Sequence, residues 1–191
     1  MKQNYLKIEK INTLCEGKYL KLKEVFFDYK GVKKRWEMVD AFESVGILIY
    51  DKDLDSIIMV KQFRLPLYMQ SGEGYSYEIC AGLCDKDKPN EIIAKEEVLE
   101  ECGYDIDEKD LEIVTTTWGC VGNQASKQTI YYVEVTQEQK VSSGGGVDDE
   151  SIEVVEIPSN KVEELIFSKE KISTPGAKFA LMWWIHYKVK S

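Results

Sequence analysis

Four glutamates fall close together, Glu96, Glu97, Glu100 and Glu101, within the stretch AGLCDKDKPNEIIAKEEVLEECGY that runs from Ala81 to Tyr104. A loop of Gly, Asp, Lys and Pro precedes them, and Cys102-Gly103 follows. Asn90 suits a helix N-cap, because its side chain can accept from an unpaired amide of the first turn. Gly103 suits the stop, because it tolerates the left-handed conformation that ends many helices. At about 100° per residue, Ile92, Ala94, Val98, Leu99 and Cys102 fall on one side and the four glutamates on the other. Carboxylates crowded on one arc repel one another and weaken a helix. A solvated face tolerates that repulsion. A face packed beside a Gly-rich loop suits a divalent metal instead, since Mg²⁺ prefers carboxylate and phosphate oxygens. Glu97 and Glu101 lie one turn apart, so both can reach one ion or a close pair.

Other chemistries find little support. His186 is the single histidine and falls on a C-terminal helix, so no Ser-His-Asp or Cys-His constellation can be assembled without it. The five cysteines, 15, 80, 84, 102 and 120, are odd in number and form no C-x-x-C pair, which suits reduced, largely buried thiols. The net charge of −9 argues against a nucleic-acid partner, whose backbone demands a basic surface. An anionic substrate must then be met by local cations or a metal. The N-terminal MKQNYLKIEK lacks the apolar core of a signal peptide, and no run approaches a membrane span, so a cytoplasmic protein without a membrane partner is expected. Arg64 closes the apolar run SIIMVKQFR, an odd terminus unless it holds a phosphate or a carboxylate, and a phosphate is the expected partner.

The elements that must position these groups are legible in outline. The length of 191 residues fits one domain with a small appendage. Residues 1–43 read as a strand-rich appendage: Tyr19–Phe27 alternates, Asp28-Tyr29-Lys30-Gly31 turns, and VKKRWEMV returns. SVGILIYD and SIIMVKQFR are near-continuously apolar, as central strands buried on both faces should be. Residues 65–76 read as a loop and YEIC as a short strand. LEIVTTTW and QTIYYVEV are strands joined by GCVGNQASK. A long polar loop, TQEQKVSSGGGVDDES, precedes the strand IEVVEIP; loops of this length are usually functional or disordered, and its three glycines grant freedom. Asn160–Ser168 and Gly176–Val189 read as helices, the latter with Phe179, Met182, Trp183 and Ile185 as its packing stripe. The order predicts an α/β fold, an α/β/α sandwich around a mixed sheet over 44–191, with a small N-terminal β-hairpin subdomain over 1–43.

The Glu-rich stretch resembles the Nudix box, G-x5-E-x7-R-E-U-x-E-E-x-G-U with U a bulky apolar residue. Gly82, Glu97, Val98, Glu100, Glu101, Gly103 and Tyr104 occupy matching places, while Lys88 stands for the first Glu and Glu96 for the Arg. GKYLKL, RWEMV, VKQFR, EICAGL and ESIEVVEIP resemble the nucleotide-sugar pyrophosphatase branch of that family, from residue 17 to about 158. The resemblance implies hydrolysis of a nucleotide-sugar diphosphate to a nucleoside monophosphate and a sugar phosphate, with Mg²⁺ or Mn²⁺ as cofactor. It implies Glu97 and Glu101 as principal metal ligands, with Glu100 auxiliary and the Ala81 carbonyl completing the shell. Glu150 matches the base or metal-binding acid, with Asp148, Asp149 and Glu153 as neighbours that could substitute. Glu78 matches an acid facing the site. Tyr19 and Trp36 match two positions that sandwich the base across a homodimer, the N-terminal hairpin of one subunit reaching the site of the other. ADP-ribose enzymes of the branch carry a proline about sixteen residues beyond the box, whereas here no proline occurs from Asn90 to Ile157. A UDP-hexose such as UDP-glucose is therefore the expected substrate, with ADP-ribose the alternative. A nucleotide-binding protein of weak catalysis is a second alternative, raised by Lys88 and Glu96.

Overall fold

The structure, a computed structural model, describes residues 5–18, 20–146 and 151–190. The chain divides into two compact units, residues 1–43 with 118–127, and residues 44–117 with 128–191. The first unit thus includes a hairpin tip that lies far downstream in the chain, and a linear reading has no signal for it.

In the first unit β1 (Leu6–Glu16), β2 (Lys21–Tyr29) and β3 (Val32–Asp40) form an antiparallel sheet in chain order. Lys30 and Gly31 turn between β2 and β3 with φ of 55° and 79°, the left-handed pair that matches strand twist in a two-residue hairpin. Asp28 Oδ1 fixes the turn by accepting from the Gly31 N–H at 2.7 Å. β1 is absent from the sequence-based reading for a physical reason. Its register with β2 shifts between Ile8 and Lys10 and again between Thr13 and Cys15, and each bulge breaks the period-2 pattern on which a strand is recognised.

The second unit is built on a mixed seven-stranded sheet. β4 (Ser44–Asp51) pairs in parallel with β9 (Ser126–Val135) and antiparallel with β5 (Ser56–Phe63) and β7 (Cys80–Leu83). β6 (Tyr75–Glu78) and β10 (Ile152–Pro158) flank β5, and β8 (Glu112–Gly119) follows β9 at the other edge. The central strands alternate between two cores. Val45, Ile47, Ile49, Ile58, Val60, Tyr131 and Val133 face one side, where α2 (Asn90–Cys102) adds Ile93, Ala94, Val98 and Cys102. Leu48, Ile57, Met59, Ile130 and Tyr132 face the other, against Leu165 and Ile166 of α3 (Val162–Phe167) and Leu181 and Trp184 of α4 (Pro175–Trp184). Each fully buried aliphatic side chain contributes about 1.5–3 kcal/mol, so register is fixed by both faces at once. The result is the expected α/β/α sandwich.

Four local readings need correction. Asn90 is the first helical residue rather than the cap: Pro89 stands at the N-cap and Asn90 Oδ1 takes the Cys84 thiol at 3.5 Å. On α2, Ile93 and Glu101 are buried while Leu99 is exposed, because the helix is rotated to lay Glu101 against β7. Within 65–76 the chain forms α1 (Leu65–Ser71), with Pro66 in its first turn and left-handed Gly72 ending it. None of its residues is buried, so no apolar periodicity marks it. On α4 the small Ala177 and Ala180 take the buried face with Leu181 and Trp184, leaving Phe179 and Met182 exposed; small residues let the helix approach the sheet closely. Among the described residues no helix is long and apolar enough to cross a membrane.

Candidate active site

The site begins where β7 hands the chain to α2. Gly82 pairs with Val45 in the sheet, and α2 packs directly over it. A Cβ on Gly82 would stand 2.1 Å from Glu97 Oε1 and 2.4 Å from Glu97 Cγ. The missing side chain is therefore what lets the Glu97 carboxylate lie against the strand. One turn on, Glu101 is only 6% exposed and its Oε2 accepts the Ala81 N–H at 3.0 Å. A carboxylate so enclosed needs such bonds to stay charged. Beneath it, burial raises the Cys80 thiol well above its ordinary pKa, with Cys102 and Glu101 adding to the effect, so Cys80 remains a neutral thiol.

The C-terminus of α2 is held by the glycine loop. Gly145 and Gly146 donate their N–H groups to the carbonyls of Glu101 and Glu100 at 2.9 and 3.0 Å. These are helix-end acceptors that otherwise lack partners. Gly144 has φ of +67°, and a Cβ there would meet the Glu101 carbonyl oxygen at 2.2 Å. Val141 donates to Gly103 at 2.9 Å, and Gln137 bonds the buried Asp51, which also accepts from Tyr104 at 2.8 Å. Gly144 thus serves a close approach to α2, and the positive φ of Gly144, Gly145 and Gly146, 67°, 114° and 82°, uses the backbone freedom expected of the three glycines.

A cavity of about 550 Å³ opens over this arrangement, lined by Ala81, Gly82, Glu97, Glu100 and Glu101 together with Arg64 and Glu78. Arg64 Nε and a terminal nitrogen grip the two Glu78 oxygens at 2.9 and 2.8 Å. The carboxylate option for Arg64 is therefore realised, in place of the phosphate alone. Burial disfavours the charge on Glu78, but Arg64 and the Ser76 hydroxyl outweigh it and hold its pKa below the usual range. Asp85 and Lys86 also line the cavity, so its carboxylates outnumber its cations five to two. That excess suits a divalent cation and a substrate that brings phosphates to it. Among the described residues no three acidic, histidine or cysteine side chains converge tightly enough to cage an ion. Glu101 is turned to the Ala81 amide, and an open acidic face that shares its ion with phosphates needs no such cage.

Two other expected site residues have partners of their own. Trp36, in the first unit, donates its indole N–H to the Gly122 carbonyl at 2.7 Å and is 56% exposed. Glu153 is paired with Lys61 at 2.8 Å, which accounts for its charge. Tyr19, Asp148, Asp149 and Glu150 lie outside the described residues. Two participants had no signal in sequence: Gln62 and Gln128 line the cavity simply because β5 ends and β9 begins there. A third, the partnership of Lys86, Lys88 and Glu96, joins a loop to a helix. Lys88 Nζ lies 2.5 Å from Glu96 Oε1 and Lys86 Nζ 3.6 Å from Oε2, and with these lysines beside it Glu96 has a lowered pKa, Lys88 being the main cause.

No family model matches the chain. It is 30% identical over 211 residues to the uridine diphosphate glucose pyrophosphatase NUDT14 of Bos taurus, an alignment covering 93% of this chain and 95% of the relative. It is also 30% identical over 176 residues to the GDP-mannose pyrophosphatase of Salmonella arizonae, covering 89% and 90%. The crystal structure of an ADP compounds hydrolase matches the whole of both chains with a TM-score of 0.80 at 17% identity, a likeness of fold. Relatives of such coverage, the matching fold and the acidic helix packed over Gly82 agree, and the chain belongs to the Nudix hydrolases as a nucleotide-sugar pyrophosphatase.

Proposed function

We propose that the chain hydrolyses a UDP-hexose, UDP-glucose being the reference substrate, with Mg²⁺ or Mn²⁺ bound at the acidic face of α2. The observation that carries this reading is the excess of carboxylates in one cavity, with Glu97 lying on Gly82 and Glu101 on the Ala81 amide. Glu97, Glu100 and Glu101 would hold the ion with the Ala81 backbone. When bound, such an ion neutralises the diphosphate and lowers the pKa of a coordinated water. Arg64 keeps its guanidinium aimed by Glu78 and would present its positive charge to a phosphoryl oxygen.

Glu150 would take the proton from the attacking water. Gly146 is fixed to the Glu100 carbonyl, and Ile152 pairs with the cavity-lining Gln62. Four residues from the first anchor span at most about 14 Å, and this reach supports the assignment. The water oxygen then bonds to one phosphorus, the bridging P–O bond breaks, and two phosphate monoesters leave.

Tyr19 and Trp36 would stack the base, a flat apolar surface that needs an aromatic partner. We infer that this requires a homodimer in which each N-terminal hairpin serves the other subunit's site. In support, the three-stranded sheet exposes Leu6, Ile8, Ile11, Leu14 and Val32 to solvent, each by 46–57%, apolar side chains that a second subunit would cover. All five cysteines are free thiols, which suits a reducing cytoplasm.

A phosphate-release screen tests the substrate. Protein with Mg²⁺ or Mn²⁺ meets UDP-glucose, GDP-mannose and ADP-ribose, and a coupled phosphatase reads the monoesters. UDP-glucose should give the highest kcat/KM. Preference for GDP-mannose, which the Salmonella arizonae relative is named for, or for ADP-ribose would refute the UDP-hexose assignment.

A further inference from the structure

The box motif asks for an acid at position 88 and a base at position 96, and this chain has the reverse, Lys88 and Glu96. The two side chains meet, Nζ to Oε1 at 2.5 Å. We propose that Lys88 and Glu96 form a charge-inverted ion pair that positions Glu97 and Glu100, so that the two departures compensate each other and leave the site competent. This rests on the metal-ligand reading of those two glutamates.

The geometry ties a loop to the functional turn of the helix. The Lys88 N–H donates to the Lys86 carbonyl at 2.9 Å, and Pro89 accepts from Ile92 and Ile93 at 3.1 and 3.2 Å. The loop therefore leaves β7, folds tightly and is locked to the start of α2. From it Lys88 reaches Glu96, the residue next to Glu97 and one turn before Glu100. Lys86 reaches the other Glu96 oxygen at 3.6 Å, longer than a hydrogen bond but within ion-pair range.

Two consequences follow from charge. Glu96 would otherwise be a fourth carboxylate repelling Glu97, Glu100 and Glu101, like charges at i,i+4 being unfavourable on a helix. Occupied by lysine, it drops out of that repulsion. Conversely, Lys88 without Glu96 would leave an uncompensated cation beside the helix that carries Glu97 and Glu100, unfavourable to any cation bound there. An ion pair is indifferent to which partner carries which sign, provided the reach is kept, and Lys on the loop with Glu on the helix keeps it.

The test is a charge-exchange cycle with two readouts, Mn²⁺ binding by electron paramagnetic resonance and kcat with KM on the nucleotide sugar. K88E places two carboxylates together, and E96R places three cations together beside Glu97. Each should weaken Mn²⁺ binding and lower kcat by at least about fivefold, with KM changed less. The double variant K88E/E96R should recover both to within about threefold of the starting protein. K88M, which only removes a charge, guards against a single variant that fails to fold, and should weaken Mn²⁺ binding in the same direction. A purely structural role would lower the melting temperature without changing Mn²⁺ affinity per folded molecule. E97Q separates the two layers of argument. If E97Q leaves Mn²⁺ binding intact, the ligand reading falls and this inference with it. If E97Q abolishes binding while K88E, K88M and E96R do not weaken it, or while the double variant stays impaired, the inverted pair alone is refuted.

Discussion

Replacing Gly82 by alanine separates what the site needs from what the fold needs. The new Cβ would stand 2.1 Å from Glu97 Oε1, 2.2 Å from its carboxyl carbon and 2.4 Å from Cγ. All three atoms belong to a flexible side chain, so relief comes by rotating Glu97 away, at about 0.5–1.5 kcal/mol for a poor rotamer. Gly82 sits in paired strand with no left-handed backbone, so alanine also restricts the unfolded chain, a gain of about 0.4–1 kcal/mol. These nearly cancel. The melting temperature should shift by no more than about 4 °C, the change that 1 kcal/mol produces in a chain of this size. Activity should not escape, because the carboxylate proposed to hold the ion is displaced. Removing one preorganised electrostatic group typically costs about 10²–10³ in kcat. The assay pairs calorimetry of the metal-free protein with kcat and KM on UDP-glucose. Full activity with an unchanged melting temperature would mean that the Glu97 position against β7 is irrelevant to turnover, and the reasoning would fail.

Other outcomes follow from the same geometry. Ala at Gly144 puts a Cβ 2.2 Å from the Glu101 backbone oxygen at φ of +67°; no rotamer relieves that, so stability should fall by about 2 kcal/mol or more by thermal melting. Asp51 is fully buried and accepts four hydrogen bonds, from Asp53, Leu54, Tyr104 and Gln137, so D51N should destabilise by about 1–3 kcal/mol in urea titrations. Burial disfavours the Asp51 charge but those bonds prevail, lowering its folded pKa. Its contribution is then complete above the unfolded carboxyl value of about 3.9 and is lost as pH falls through the folded one, so the difference from D51N should shrink in acid. Light scattering at micromolar concentration should give twice the chain mass of 22.0 kDa; a monomer would refute the shared site.

Legibility in the sequence tracked burial. β4, β5 and β9 read as strands because both faces are core, and α2 announced itself through its glutamates and Gly103. β1 was hidden by two bulges, and α1 by having no buried residue. In the site, residues within one element were legible: Glu97, Glu100 and Glu101 share a helix and a cavity. Pairings across elements were not. Arg64 and Glu78 meet only because β5 and β6 are neighbours, and Lys88 and Glu96 read as two separate defects until the loop fold brought them together. The glycines at 144–146 carried a double meaning, since freedom and close approach call for the same residue.

The most direct measurement is steady-state turnover of UDP-glucose by the native chain and by E101Q. A Gln carbonyl can still accept the Ala81 N–H that Glu101 Oε2 accepts at 3.0 Å, so the fold is preserved and only the charge is removed. The native protein should release UMP and glucose 1-phosphate with Mg²⁺, and E101Q should lose about 10²-fold or more in kcat. An E101Q protein as active as the native one would contradict the claim that the acidic face of α2 performs the hydrolysis.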